Sequence, residues 1–526
     1  MGAGTGGDAI AAILAAEGVD TVFGIVDGTY VQLCASLRDR GVGLVTPRHE
    51  STAVHMAAAY ARLSGRLGVC IASNGPGVAN ALPGVAVENA EGNRVLLITS
   101  SRRTGITYPD RGGTYQYFDH VGVIAPMAKW SATAQSPARI TELARTALRE
   151  CWTGRPGVVH LDIAEDLVNG TLDPPPHVQE PRRYRAVEPM AASSSDVEQA
   201  AAILARAGLA TIHAGGGVLH AGAWDELARV AEVLHAPVTT SWSGRGAYAE
   251  TSPLAWPMPL VEAVDAVHNN AGAVLCVGAR LGETDWWGRP PNWAPPERQA
   301  LVQVDIDDAA LGRNRPVTLG VRADAKLFLS ALADRLEADG HQPPPATLKA
   351  VAELQAGRDA ARRELDTTLA DTETPMVTAH VAVTCSEVFP DDAVAVFDGG
   401  NTAVWGHFFH QVRTPNCVLS TPHMGMLGAG MGQALGAAVA RPGTAVYCIT
   451  GDGAFGMHPQ EVETAIRHDL PVVFLVVADR QWGMVKLTQA VALGDAGPVN
   501  ADLNEIRYDD LARSMGAHGE RVADPA

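Results

Sequence analysis

Two uninterrupted apolar runs, Ala445-Val446-Tyr447-Cys448-Ile449 and Pro471-Val472-Val473-Phe474-Leu475-Val476-Val477, restrict the fold more than any other feature of the chain. Neither alternates polar with apolar residues, so neither suits a strand with one wet face. Both read as buried strands of a parallel sheet. Parallel neighbours need a crossover, and residues 459–468 supply a helical one. The first run ends in Gly451-Asp452-Gly453-Ala454-Phe455 and the second in Asp479. Such turns share the carboxyl edge of an α/β sheet, where ligands bind, so Asp452 and Asp479 are expected to face each other across one crevice. Glycines there let main-chain N–H groups close on a phosphate. Oxygen ligands from two loops suit a hard cation such as Mg²⁺ bridging protein and diphosphate.

A chain of 526 residues predicts about three domains. Hydrophobic residues at 47% and charged ones at 19% match a soluble globular protein rather than a disordered one. The formal charge of −18 argues against nucleic acid as a partner, which calls for a basic face. No apolar run approaches the ~20 residues of a membrane span. Residues 1–7 lack the basic start of a secretory signal, and Asp8 ahead of Ala9-Ile10-Ala11-Ala12-Ile13-Leu14 reads as the cap of a first helix. Seven cysteines without a Cys-x-x-Cys point to reduced cytoplasmic thiols in cores, among them Cys70, Cys276 and Cys448. Two proline- or serine-rich stretches, residues 172–195 and 338–345, read as linkers. They divide the chain into 1–172, 190–338 and 350–526, expected to be three doubly wound α/β domains with parallel sheets.

The second turn runs on into Gln481-Trp482-Gly483, and here the chain resembles the thiamine diphosphate (ThDP) dependent enzymes. The resemblance implies a pyrimidine-binding, a central and a diphosphate-binding domain. It gives Mg²⁺ to Asp452, Asp479 and the main-chain carbonyl of Gln481, and sets Gly451, Gly453, Ala454, Trp482 and Gly483 around the diphosphate. The family has an Asn pair where Ala478-Asp479 stands, so the metal set carries one substitution. Asp398-Gly399-Gly400-Asn401-Thr402, after a strand at 393–397, resembles the other diphosphate turn, with Gly400 lining it and Asn401 and Thr402 as donors.

Leu44-Val45-Thr46-Pro47-Arg48-His49-Glu50, followed by a helical stretch at 51–63, resembles the Arg-His-Glu segment of the acetolactate synthase branch. There the Glu hydrogen-bonds N1′ of the aminopyrimidine and drives the tautomer that deprotonates thiazolium C2, a role that falls to Glu50. In Thr421-Pro422-His423-Met424-Gly425-Met426-Leu427-Gly428 the resemblance gives Gly425 the carbonyl that meets the 4′-amino group and Leu427 the wedge that bends the cofactor. Asn74-Gly75-Pro76-Gly77 places Pro76 at the cofactor, and Gln116 with Asp119 fits a Gln-x-x-Asp pattern of the same branch. Dedicated decarboxylases of the family set histidines around the thiazolium, whereas Val26-Asp27-Gly28, Ser73-Asn74 and Tyr115-Gln116-Tyr117 hold none.

The resemblance therefore implies an enzyme that cleaves and forms C–C bonds on a 2-oxo acid or related carbonyl donor and passes the enamine to an acceptor. Its relatives would be acetolactate synthase, sulfoacetaldehyde acetyltransferase and benzaldehyde lyase. Acyl transfer to phosphate remains an alternative, on the strings Asn74-Gly75-Pro76-Gly77, Arg315-Pro316-Val317-Thr318-Leu319-Gly320-Val321 and Gln481-Trp482-Gly483. So do simple 2-oxo acid decarboxylation and a relative that has lost turnover. Thr284 and Thr488 stand where acetolactate synthase has its carboxylate-binding Arg and its selecting Trp. Some relatives hold FAD or another adenine nucleotide in the central domain. Ala214-Gly215-Gly216-Gly217-Val218 makes that a candidate here, and a purely structural domain is its equal. The family's shared site implies a homodimer or homotetramer, with Glu50 from one subunit and Asp452 and Asp479 from another.

Overall fold

The computed structural model describes residues 4–107, 109–173 and 178–525; Pro174, Pro175 and Pro176 of the first linker lie outside the described residues. The chain forms two compact units, one of Met1–Val187, Val394–Ala403 and Leu419–Arg521, the other of Glu188–Ala393, Val404–Val418 and Val522–Ala526. The first unit opens with the helix Gly6–Ala16, and its cap is Thr5, whose Oγ1 accepts from Asp8 N at 3.0 Å. Asp8, expected as the cap, instead lies in the first turn, where its charge opposes the helix dipole's positive end.

Strands β1 (Thr21–Gly24), β2 (Gly43–Val45), β3 (Gly68–Ala72), β4 (Val95–Ser101), β5 (Trp130–Ala134) and β6 (Val158–Ala164) make a parallel sheet in the order β2-β1-β3-β4-β6-β5. Helices α1 (Glu50–Ser64) and α2 (Pro76–Glu91) are the crossovers into β3 and β4. Every residue of β3, β4 and β6 is buried, including the polar Thr99, His160 and Asp162, which bond one another across the strands.

In the second unit β7 (Ala210–Ala214), β8 (Val238–Thr240), β9 (Ala255–Trp256), β10 (Ala273–Val277), β11 (Ala300–Asp305) and β12 (Leu319–Arg322) are parallel in the order β9-β8-β7-β10-β11-β12. The winding reverses between β7 and β10, the doubly wound arrangement. All seven cysteines of the chain are free thiols, six of them buried.

The first unit's other sheet comprises β13 (Val394–Asp398), β14 (Val418–Leu419), β15 (Val446–Gly451) and β16 (Val472–Val477) in the order β14-β13-β15-β16, with β15 parallel to both β13 and β16. The crossover expected between the last two strands is α4 (Glu461–Arg467), preceded by α3 (Ala429–Ala440) ahead of β15. One reading is corrected: β16 is an edge strand rather than a buried one, and Val473 is 47% exposed. Its sequence is that of a central strand, but among the described residues it has a ladder partner on one side only.

What positions the site is the packing of α3 along α1. A Cβ at Gly432 would lie 2.7 Å from His55 Cβ, and one at Gly436 would lie 2.3 Å from the Met56 carbonyl oxygen. Glycine at both places lets the helix backbones touch. Because 432 meets 55 and 436 meets 56, the helices run the same way. Their starts, Glu50 and the turn before Ala429, lie at one end of the pair.

Candidate active site

Register fixes the first half of the site. Gly451 pairs with Val477, so the turns after β15 and β16 emerge side by side. Asp452 is 3% exposed; its Oδ1 accepts from Gly453 N and its Oδ2 from Arg480 N, both at 2.8 Å. Arg480, at φ 58°, thereby ties the Asp479 turn to Asp452. Asp479 is exposed and accepts from Gln481 N at 3.3 Å and Gln481 Nε2 at 3.1 Å. The glycines here are steric requirements. A Cβ on Gly453 would meet the Trp482 ring at 2.6 Å, one on Gly451 Thr402 Oγ1 at 2.9 Å, and one on Gly400 Met484 Cβ at 2.9 Å. A Cβ on Gly483 would stand 2.9 Å from Asn401 Nδ2 and 3.1 Å from Asp479 Oδ2. Ala454 lies buried in the turn, 3.7 Å from where a Gly399 Cβ would be.

This cradle of small residues, two carboxylates and amide donors fits a diphosphate with a hard cation. Among the described residues no group of three His, Cys, Asp or Glu could hold a metal by itself. Asp452 and Asp479 would therefore need the Gln481 carbonyl and ligand oxygens to complete a shell. Burial raises the Asp452 carboxyl above its ordinary range, with the Asp479 charge adding to it. A cation between the two would relieve that repulsion.

The second half lies on the β1–β6 sheet. Glu50 begins α1 behind His49, whose ring accepts from Ser51 N, and is 8% exposed. Asn80, on the first turns of α2, donates to Glu50 Oε2 at 3.0 Å; Oε1 has no donor among the described residues. A Cβ on Gly77 would stand 3.3 Å from that Oε1. Pro76 is the first residue of α2 and is exposed. Gln116 sits at φ 54°, and Asn74 Nδ2 donates to its main-chain oxygen at 3.2 Å and to Oε1 at 3.4 Å.

Within one chain the two segments are in contact at His458. A Cβ on Gly428 would lie 3.0 Å from its Cδ2, its Nε2 is 3.4 Å from Ser51 Oγ, and its ring is 4.9 Å from that of His49. Burial, with His49 and His55 near, pushes His458 down to about 4, so it stands neutral at pH 7. Gly425, at φ 58° with open space at its missing Cβ, and half-buried Leu427 lie just ahead of Gly428.

Sequence reasoning did not single out Asn80, and it named Asn74 and Asp398 within their turns without giving either a role. Asp398, 3% exposed at the end of β13, accepts from Gly428 N at 3.1 Å and Gly430 N at 3.2 Å and so pins the turn that carries Gly425 and Leu427. Burial pushes its carboxyl up to about 6. The unfolded value is near 3.9, so between about 4 and 6 the native state binds more protons and this residue's contribution to stability falls as pH rises. Relative to Asp398→Asn, the wild type should lose about 1 kcal/mol of unfolding free energy from pH 5 to pH 7. Paired urea titrations at those two pH values measure it, and a constant difference would remove the assignment.

In the second unit the glycine-rich turn is explained by packing. A Cβ on Gly215 would strike the Gly278 oxygen at 2.1 Å, and one on Gly217 the Gly278 Cα at 2.6 Å. The helix that follows, Gly216–His220, has five residues. The turn thus packs on the loop after β10, and that contact accounts for its glycines without a nucleotide. In the tryptophan-rich stretch Asp285-Trp286-Trp287-Gly288-Arg289-Pro290-Pro291-Asn292-Trp293, Trp293 is buried and stacked on His268, whereas Trp286 and Trp287 are 50% and 42% exposed. Arg315 donates to the Gly288 oxygen, which gives it a supporting role in that loop. Thr488 Oγ1 donates to the Met484 oxygen on α5 (Gly483–Leu493).

Three family models match the chain: the N-terminal TPP binding domain of the thiamine pyrophosphate enzymes over residues 4–123, their central domain over 197–332 and their C-terminal TPP binding domain over 398–526. A probable acetolactate synthase large subunit of Methanocaldococcus jannaschii is 30% identical over 535 residues, covering 99% of this chain and 88% of that protein. An acetolactate synthase of Mycobacterium bovis is 29% identical over 528 residues, with 99% and 81% covered. A sulfoacetaldehyde acetyltransferase of Castellaniella defragrans is 27% identical over 551 residues, with 99% and 89% covered.

Proposed function

The chain belongs to the thiamine pyrophosphate enzymes, in their acetolactate synthase-like branch, and from that premise we propose that it carries the acyl part of a 2-oxo acid or related carbonyl donor to an acceptor carbonyl. Residues 1–172, 190–338 and 350–526 are its pyrimidine-binding, central and diphosphate-binding domains in this reading. ThDP, when bound, supplies a nucleophilic carbon and an electron sink. Asp452, Asp479 and the Gln481 carbonyl would hold Mg²⁺. Gly400, Asn401, Thr402, Gly451, Gly453, Ala454, Trp482 and Gly483 would hold the diphosphate. Gly425 and Leu427 would hold the ring end from one side, and Pro76 from the other.

Glu50 has the protonic role. Asn80 occupies Oε2 and fixes the carboxyl, which leaves Oε1 to share a proton with the pyrimidine. The observation that carries transfer over simple decarboxylation is the amide pair Asn74 and Gln116. The loops nearest the expected reacting carbon present amides, with no histidine to deliver a proton. Asp27, the acid in those loops, is engaged as a cap, accepting from Thr29 N at 2.8 Å. A panel of 2-oxo acids with and without aldehyde acceptors tests the reading. Coupled ketone products that need the acceptor support it, and acetyl phosphate formed only with phosphate present would favour the acetyltransferase reading instead.

We also propose a homodimeric or homotetrameric working unit with shared sites. Inactive Glu50→Ala and Asp452→Ala chains, mixed under conditions of subunit exchange, should recover up to about a quarter of wild-type activity, since half the dimers are hybrid and each holds one intact site. If exchange is demonstrated and the mixture stays inactive, each chain builds its own site.

A further inference from the structure

The histidine missing from the loops around Gln116 lies one layer behind them. His120 begins the short helix His120–Ile124 and is 3% exposed. Its Nδ1 is 3.0 Å from Asp162 Oδ1, and its Nε2 accepts from Gly75 N at 3.2 Å. These two bonds allow one form of the ring: neutral, with the proton on Nδ1, because a protonated Nε2 could not accept from an amide. Asp162, 2% exposed on β6, is held in turn by Thr99 Oγ1 at 2.7 Å and Thr133 Oγ1 at 3.2 Å, from strands on either side. Burial raises the Asp162 carboxyl, but the hydrogen bonds from His120 and Thr99 outweigh it and hold it below the ordinary carboxylate range. The sheet thus carries a fixed anion that sets the imidazole, and the imidazole sets one amide.

That amide belongs to the turn on which the site is built. Gly75, at φ 65°, abuts Gln116 so closely that a Cβ would fall 2.7 Å from the Gln116 main-chain oxygen and 2.9 Å from its Cβ. Asn74 donates to Gln116 from the residue before, and Pro76 opens α2, whose Asn80 fixes Glu50. The loop 116–120 and the turn 74–76 are therefore joined twice, by Asn74 to Gln116 and by Gly75 to His120. Remove the second tie and, among the described residues, the hydrogen bonds left between the turn and Gln116, already in a left-handed conformation, are those of the Asn74 amide.

We propose that His120, fixed by Asp162, is a positioning residue: it holds the Asn74-Gly75-Pro76 turn and through it the Gln116 amide against the reacting substrate. This deepens the ThDP reading and rests on it for the identity of the reaction, though the tie itself does not.

The experiment compares His120→Phe, which keeps the ring's bulk and removes both hydrogen bonds, with His120→Gln, which can again accept from Gly75. Hydrogen–deuterium exchange of the peptide holding Asn74 and Gly75 should quicken in the Phe variant and return toward wild type in the Gln variant. With the best donor from the substrate panel, His120→Phe should lower kcat/KM by about 10- to 100-fold, the scale of a misplaced catalytic group, with KM for the donor rising. Exchange of the C2 proton of bound ThDP should stay within about threefold of wild type, since Glu50 retains Asn80. His120→Gln should recover most of kcat/KM.

A merely structural His120 would give two variants equally impaired, with kcat/KM and C2 exchange falling together. That result, or unchanged amide exchange in His120→Phe, overturns the proposal. If wild-type protein fails to exchange C2 of ThDP at all, the ThDP reading falls, while the amide-exchange comparison still decides the tie. Should the Phe variant fail to fold, His120→Asn and Asp162→Asn carry the same amide-exchange comparison, and wild-type protection in both overturns it.

Discussion

Glu50→Gln should leave the fold and ThDP binding nearly intact and lower turnover by roughly 10²- to 10⁴-fold, the usual worth of general acid–base help. The amide is isosteric and still meets Asn80 through its oxygen, so the start of α1 keeps its geometry. What it loses is the proton-sharing oxygen. Glu50 is 8% exposed, so water has little access to replace it. The direct readout is exchange of the cofactor's C2 proton followed by NMR, because it precedes any choice of substrate. Wild-type exchange rates in Glu50→Gln would remove this residue from the mechanism.

The second large effect concerns Asp479. A carboxylate roughly 5 Å from a diphosphate charge repels it by about 3 kcal/mol at an effective dielectric near 20, so the cation must offset both. Asp479→Asn should keep activity and reach half-saturation with ThDP at a lower Mg²⁺ concentration. Asp479→Ala should lose cofactor. The structure sharpens the rival view that Asp479 only shapes its turn, for it does accept from Gln481 N and Nε2. Asn can keep the first of those bonds, so a turn-shaping role makes Asn and wild type alike at every Mg²⁺ level. Identical ThDP saturation curves for wild type, Asn and Ala would exclude ligation.

Much of the candidate site's local geometry was legible because its signals are local. A glycine that must sit under Trp482, or an apolar run that ends in a polar turn, leaves its mark in a few adjacent residues, and parallel topology then places those turns on one edge. Three things could not be read this way. The edge position of β16 depends on which strands pair with it, and its composition is that of a buried strand. The cap of the first helix is Thr5 because the strand pairing Gly4–Thr5 with Thr171–Leu172 sets where the helix can start. The supporting groups Asn80, Asp398 and His120 act on residues up to 45 positions away, through contacts that exist only once the sheets have formed. His120 shows the limit best. It lies one residue past the Gln-x-x-Asp pattern, yet its partners come from β6 and from the turn before α2.

The central-domain glycines point to the opposite lesson. Gly215 and Gly217 carry the composition of a nucleotide-binding turn, but each is accounted for by the Gly278 backbone lying against it. Glycine in such a turn reports close approach, and the approaching group can be the protein itself.

Calorimetric titration of the purified protein with ThDP, in Mg²⁺ and in EDTA, bears most directly on the site built around Asp452 and Asp479. Saturable binding in Mg²⁺ is expected, with a steep loss of affinity in EDTA and in Asp452→Ala. Binding that is equally tight without the cation, or that survives Asp452→Ala unchanged, would show that these turns do not hold the cofactor.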